Sequence, residues 1–96
     1  MANSIIQSEK KCLLCETTQR LHEHHCIYGR GRRPLAEKYG LTVWLCVEHH
    51  VGQHGVHNNK DLSMQLKKLA QTKFEAEYGQ NIRFQDIFGK SYLEED

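Results

Sequence analysis

One proline, one tryptophan and no long apolar run occur in the 96 residues of this chain, and each scarcity excludes something. With Pro34 alone there is no stiff proline-rich linker, and without repeats or low-complexity segments the sequence reads as a single domain, residues 1–96. Nothing approaches the roughly 18 consecutive apolar residues that mark a membrane-spanning helix. The opening Met1-Ala-Asn-Ser-Ile-Ile-Gln-Ser is polar and lacks the apolar segment of a secretory signal, so the expected setting is the reducing cytoplasm, with no membrane partner. Charge of one sign is also scarce. The net charge is only +1, yet residues 1–60 carry eight Lys/Arg against five Asp/Glu, a balance of +3, while residues 61–96 carry five against seven, a balance of −2. The basic half is the half that holds the histidines and cysteines. At 39% hydrophobic and 26% charged residues, a chain this short supports one modest core, and chains of that size often lean on a metal or on disulfides.

The cysteine pattern decides between those two. Of the four cysteines, three fall with one histidine into two pairs of the same spacing, Cys12-Leu-Leu-Cys15 and Cys46-Val-Glu-His49. A reducing compartment disfavours disulfides, and paired soft ligands two residues apart close a tetrahedral zinc site. Cys12, Cys15, Cys46 and His49 are therefore assigned to a structural zinc ion. His50 is the rival fourth ligand, and the matching spacing selects His49. Cys26 fits neither pair and reads as a small buried residue.

What remains is a set of nitrogen donors. Seven histidines are present, and His24, His50 and His54 form a candidate second, open metal site with His25 beside it. His50 and His54 are four apart and share one face if residues 47–54 are helical; His57 is the substitute for His54 if the turn there is irregular. His24 and His25 are neighbours on an expected strand, so their side chains point to opposite faces and only one can serve the ion. A neutral imidazole with a pKa near ~6.5 suits the removal of a proton from water, the task assigned to His25. An ion beside such a base is the equipment for metal-assisted hydrolysis of a phosphodiester. Three imidazoles favour a transition metal by ligand softness; magnesium, manganese, nickel and zinc are the candidates. Arg30, Arg32 and Arg33, on a loop just after the double histidine, suit the phosphate oxygens of a nucleic-acid backbone. His22 reads as an exposed strand residue, although it is placed to share a face with His24.

The periodicities give an α+β fold. A first strand is expected within residues 20–28, a short helical turn over residues 34–39 closed by Gly40, and a second, antiparallel strand over residues 41–46, rich in β-branched and aromatic side chains. After a break near residues 55–60, Leu62, Leu66, Leu69, Ala70, Phe74 and Tyr78 recur at helical spacing, with Asp61 as the expected N-cap and Gly79 as the expected left-handed end. Ile82, Phe84, Ile87 and Phe88 then read as a packing segment. Residues 12–60 would hold the metal sites and residues 61–96 the amphipathic helix and its cover.

These residues resemble the HNH, or ββα-metal (His-Me finger), endonucleases in their zinc-knuckle variant. His24-His25-Cys26-Ile27 is similar to the family's first motif, whose first residue ligates the metal and whose second is the general base. Leu45-Cys46-x-x-His49-His50 is similar to the ending of zinc-bearing members, in which the residue after the last zinc ligand binds the catalytic ion. His50 and His54 resemble the helix-borne ligands of the colicin-type nucleases. The resemblance spans roughly residues 12–54. It implies a small ββα-metal core stapled by zinc, in-line hydrolysis of DNA with little sequence specificity, a phage or prophage source, and a recombination or replication protein as a partner. One departure stands out: the family's central Asn, which braces the general base, would fall near Gly40 or Leu41, and Thr42, Asn58 and Asn59 are the polar residues nearest to replace it. The alternatives are a catalytically inactive, zinc-stapled module for binding DNA or protein, and an interaction domain in which both clusters are structural.

Overall fold

The computed structural model describes residues 4–29, 31–53 and 55–93. The run Thr-Val-Trp-Leu-Cys, favoured in a pleated strand by its branched and aromatic side chains, forms β2 (Thr42–Cys46). It pairs antiparallel with β1 (Leu21–His25) in a register that sets Leu21 opposite Cys46, His24 opposite Val43 and His25 opposite Thr42. This register places the double histidine at one end of the two-stranded sheet and Cys46 at the other. The first strand is shorter than the expected 20–28. Past His25 the chain turns toward Gly29, at φ 108, with the Cys26 amide still donating to Leu41 O.

Between the strands lies α1 (Arg33–Lys38), with Pro34 in its first turn and Gly40, at φ 75, turning the chain into β2. A single helical turn, α2 (Val47–His50), follows β2 directly. A 3-10 turn (Val56–Asn58) then leads to α3 (Lys60–Tyr78), and α4 (Phe84–Phe88) closes the fold. The expected helix is present, but its ends differ from expectation. Asn59, not Asp61, caps it, its Oδ1 accepting from the Leu62 amide at 3.0 Å, and Asp61 sits in the first turn, where its charge suits the positive helix end. Gly79 has φ −62 because its amide still donates to Glu75 O; left-handed glycines instead follow α1, at Gly40, and α4, where Gly89 has φ 81.

The core is continuous. Leu66, Ala70 and Phe74 of α3 are buried with Leu41, Val43 and Leu45 around β2 and with Ile27 and Ala36. Edge-on aromatic contacts from Phe74 to Tyr39, Phe84 and Phe88 fasten α1 and α4 to α3, and pairs of that geometry add about 0.5–1.5 kcal/mol each beyond area burial. Buried Gln71 ties down the end of the described chain by donating to Ser91 Oγ and accepting from the Tyr92 amide. The architecture is α+β, a two-stranded antiparallel sheet with helices. Among the described residues no helix is long and apolar enough to cross a membrane.

Candidate metal centre

The sulfur cluster is built by two tight backbone turns. Residues 12–16 fold back so that the Glu16 amide donates to Cys12 O and the Cys12 amide to Thr17 O, each at 2.8 Å, with Glu16 at φ 65 turning the chain. The Leu13 amide donates to Trp44 O and pins this knuckle to β2. Across from it, Cys46 ends β2 and His49 lies within the single turn of α2, so their x2 spacing wraps both side chains to one point.

The separations there are compatible with a coordination shell, two of the three falling within its expected edges. Cys15 Sγ lies 3.7 Å from Cys46 Sγ, and His49 Nδ1 lies 3.6 Å from Cys12 Sγ and 3.2 Å from Cys46 Sγ. Zinc bonds of about 2.3 Å to sulfur and 2.0–2.1 Å to nitrogen give tetrahedral edges of roughly 3.5–3.8 Å, whereas a disulfide needs about 2.05 Å. All four cysteines are free. Burial pushes the Cys12 thiol up, but hydrogen bonds from the backbone amides of Cys46, Cys15 and Leu14 outweigh it and bring it down to about 6. The Cys15 thiol is raised: the Thr17 amide pulls it down, and desolvation together with the neighbouring Cys12 and Cys46 sulfurs outweighs that pull. Thiols that crowd one point and contest a shared negative charge are neutralised by a cation. Cys12, Cys15, Cys46 and His49 thus make a site compatible with a structural metal.

A second cluster stands beside the first, because His49 and His50 are consecutive. His24, His50 and His57 each bring one ring nitrogen to within 4.8 Å of the others. This changes the expected geometry of the trio. The helix carrying His50 stops at that residue, so the premise of two helical turns across residues 47–54 does not hold. Gly52 and Gly55 accompany the break, and Asn58 fixes the loop by donating from Nδ2 to Val51 O and Gly52 O. The 3-10 turn then carries His57 alongside His50, Nε2 to Nε2 at 3.0 Å. His54, the third ligand expected from the sequence, lies outside the described residues. His22 also joins the group, its Nδ1 2.9 Å from His50 Nδ1; its two-residue offset from His24 on a strand was the available signal.

His24 is only 2% exposed, and its Nε2 has no hydrogen-bond partner. Burial, reinforced by His50, His57, His25 and Lys67, pushes its pKa down to about 3, and His50 is lowered by burial, His57 and His22. Both rings are therefore held neutral, the form that ligates metals. A stability consequence has a definite sign. With a folded value near 3 and an unfolded value near 6.5, the unfolded chain binds the extra proton between them, so this contribution is intact above about pH 6.5 and is lost as pH falls toward 3. Urea midpoints measured from pH 7 to pH 4 on protein without an ion in this cluster are expected to fall more steeply for the wild type than for His24→Asn. Equal slopes would remove the assignment.

His25, on the opposite face of β1, is 9% exposed, and its Nε2 is buried without a partner. Its Nδ1 accepts from Arg33 Nε at 3.3 Å. None of the polar residues considered from the sequence as a brace for His25 reaches the orphaned Nε2. Leu41 is in the core, Asn58 bonds the loop carbonyls and Asn59 caps α3, and Thr42, opposite His25 in the sheet, makes no hydrogen bond to it, so no described residue bonds this nitrogen and the ring is held through Nδ1 by Arg33 alone. Glu23, His24, His25, Tyr28, Arg33, His50 and His57 line one cleft of about 270 Å³. Glu37 also comes within reach of Glu23 and His25. A larger cleft of about 380 Å³ beside the end of α3 and the start of α4 holds neither His nor Cys. Of the three arginines assigned to DNA, Arg33 lines the histidine cleft, Arg32 donates from Nε to Phe88 O, and Arg30 lies outside the described residues.

No family model, curated protein or solved structure matches the chain.

Proposed function

We propose that this protein is a metal-dependent DNA endonuclease of the HNH, or ββα-metal, kind, with a structural zinc ion held by Cys12, Cys15, Cys46 and His49. One observation carries the reading: three mutually close imidazoles and an independent, partly unpartnered histidine open onto a single cleft. The donor set fits a divalent ion. A pair of ligand nitrogens 3.0 Å apart spans one edge of a shell with bonds of about 2.1 Å, and the buried, unpartnered His24 Nε2 supplies a third lone pair. All-nitrogen ligation favours manganese, nickel or zinc over magnesium by softness. When bound, such an ion supplies Lewis-acid stabilisation of the charge that develops on the phosphate.

The remaining chemistry belongs to the chain. His25 Nδ1 accepts an N–H from Arg33, so in neutral His25 it carries the lone pair. A water molecule that takes the place of Arg33 Nε donates its proton to Nδ1 as its oxygen bonds to phosphorus. The bond from phosphorus to the 3′ oxygen breaks, and that oxygen takes a proton from solvent. Arg33, released from His25, holds a non-bridging phosphate oxygen. Recognition through the backbone makes cleavage salt-sensitive and largely indifferent to sequence.

The test combines a metal count with a plasmid assay. Two ions per chain are expected, one of them resistant to gentle chelation, together with nicking of supercoiled DNA in manganese or nickel that fades steeply with added salt. One tightly held ion and no nicking with manganese, nickel, zinc or magnesium would instead assign a zinc-stapled binding module. Two tightly held ions and no nicking would assign a two-zinc interaction domain.

A further inference from the structure

We propose that His22 is a positioning residue for the histidine cluster, accepting the Nδ1–H of His50 and so holding the Nε2 lone pair of His50 toward His24 and His57. The inference rests on reading His24, His50 and His57 as a ligand set.

It follows from counting protons on His50. Both of its ring nitrogens face another imidazole: Nε2 lies 3.0 Å from His57 Nε2 and Nδ1 lies 2.9 Å from His22 Nδ1. A neutral imidazole carries a single N–H. If Nε2 presents its lone pair to an ion shared with His57, the proton of His50 must sit on Nδ1, and the acceptor at hydrogen-bond distance is His22 Nδ1. His22 then carries its own proton on Nε2. Every nitrogen in the chain of contacts receives one consistent role, and the opposite placement of the His50 proton would remove a ligand from the cluster.

His22 is not itself placed to be a ligand of that ion. It contacts the nitrogen of His50 that points away from the cluster, and it is not among the three residues whose donor atoms converge. The rings meet edge to face, at 86° with centroids 5.1 Å apart, so the lone pair of one is met by the N–H edge of the other and the rings are not stacked. The contact comes from the sheet. His22 lies two residues before His24 on β1 and opposite Leu45, one residue before Cys46, while α2 starts directly after Cys46 and delivers His50 to the same face. Partners of this kind, which accept the second N–H of a ligating histidine, fix its tautomer and orientation, and their loss typically weakens metal affinity by about 10- to 100-fold.

The test uses protein carrying one equivalent of zinc, titrated with cobalt(II) and followed by its visible absorption. His22→Phe, which keeps a ring but accepts nothing, is expected to weaken cobalt binding by about 10- to 100-fold while zinc content and the thermal midpoint stay at wild-type values. His22→Gln, whose Oε1 accepts the same hydrogen bond, is expected to recover affinity to within a few-fold. Side-chain ¹⁵N NMR of the cobalt-free protein gives a second readout: His50 is expected as the Nδ1–H tautomer in the wild type and in His22→Gln, and to lose that preference in His22→Phe. Wild-type cobalt affinity in His22→Phe, or a protonated His50 Nε2 in the wild type, overturns the proposal. If the wild type takes up no cobalt beyond its zinc, the ligand-set reading fails, and the His50 tautomer alone decides the role of His22.

Discussion

Cys46→Ser is expected to abolish the cooperative thermal unfolding transition of the chain and to release the zinc ion proposed for the sulfur cluster. Cys46 is the hinge of the sulfur cluster: it ends β2, its Sγ lies 3.7 Å from Cys15 Sγ and 3.2 Å from His49 Nδ1, and the next residue begins α2. Through it the knuckle at residues 12–15, the sheet and α2 are joined at one point. Structural zinc contributes an apparent 10–16 kcal/mol or so in peptides that fold around it, which matches or exceeds the roughly 5–15 kcal/mol net stability of ordinary domains. The apolar core on α3 and α4 is a real but modest counterweight in a chain of 96 residues. Because His50 follows His49, the change should reach the second cluster as well and lower its affinity for added cobalt. Cys26 is the control. It is fully buried, and burial pushes its thiol up to about 12, which keeps it protonated and unsuited to a metal; Cys26→Ala should keep the zinc and melt within a few degrees of the wild type. Circular dichroism melts with zinc analysis read both variants. A Cys46→Ser protein with wild-type zinc content and midpoint would show that the four residues meet without binding anything that matters to folding.

Features that spacing converts directly into geometry are legible in the amino-acid sequence. The two x2 pairs meet, since a knuckle and a strand-to-helix junction each turn two ligands toward one side, and the stripe from Leu62 to Tyr78 is helical with Leu66, Ala70 and Phe74 in the core. The run before Cys46 became the second strand for the same reason. Features that depend on where a regular element stops were not legible. Four-residue spacing made His50 and His54 look like helix neighbours, but α2 ends at His50; the sequence offered His57 only as the substitute for an irregular turn, and the 3-10 turn brings that residue in. Asn59 and Asp61 are both good capping residues, and only the path of the loop selects Asn59. Arg32 and Arg33 are adjacent and chemically alike, yet one bonds Phe88 O and the other His25, a division set by the first turn of α1 and the approach of α4. The two-residue offset of His22 from His24 announces a shared strand face, but its contact with His50 needs the strand register and the start of α2 together.

His25→Ala is expected to lower metal-dependent plasmid nicking by about 10²- to 10⁴-fold, the range that a positioned general base supplies. The attribution to chemistry rests on how little else the ring does. Its Nε2 is buried without a partner, a state that costs roughly 1–3 kcal/mol for a buried polar group, so deleting the ring removes a penalty that offsets much of the cavity it leaves. The fold should therefore survive with both proposed metal sites filled, because His24, His50 and His57 form a grouping to which His25 does not belong. Comparison with His24→Ala separates base from ligand. Truncating His24 leaves a weakened ion site, so raising the manganese concentration should restore a good part of its activity. The same addition should do nothing for His25→Ala, in which the ion site is intact and the missing element is the acceptor for the proton of water. Nicking by His25→Ala at the wild-type rate, in a preparation with its full metal content, would take the general base away from this residue. Rescue of both variants by manganese would instead make His25 a contributor to ion binding, through the grouping it forms with Glu23 and Glu37.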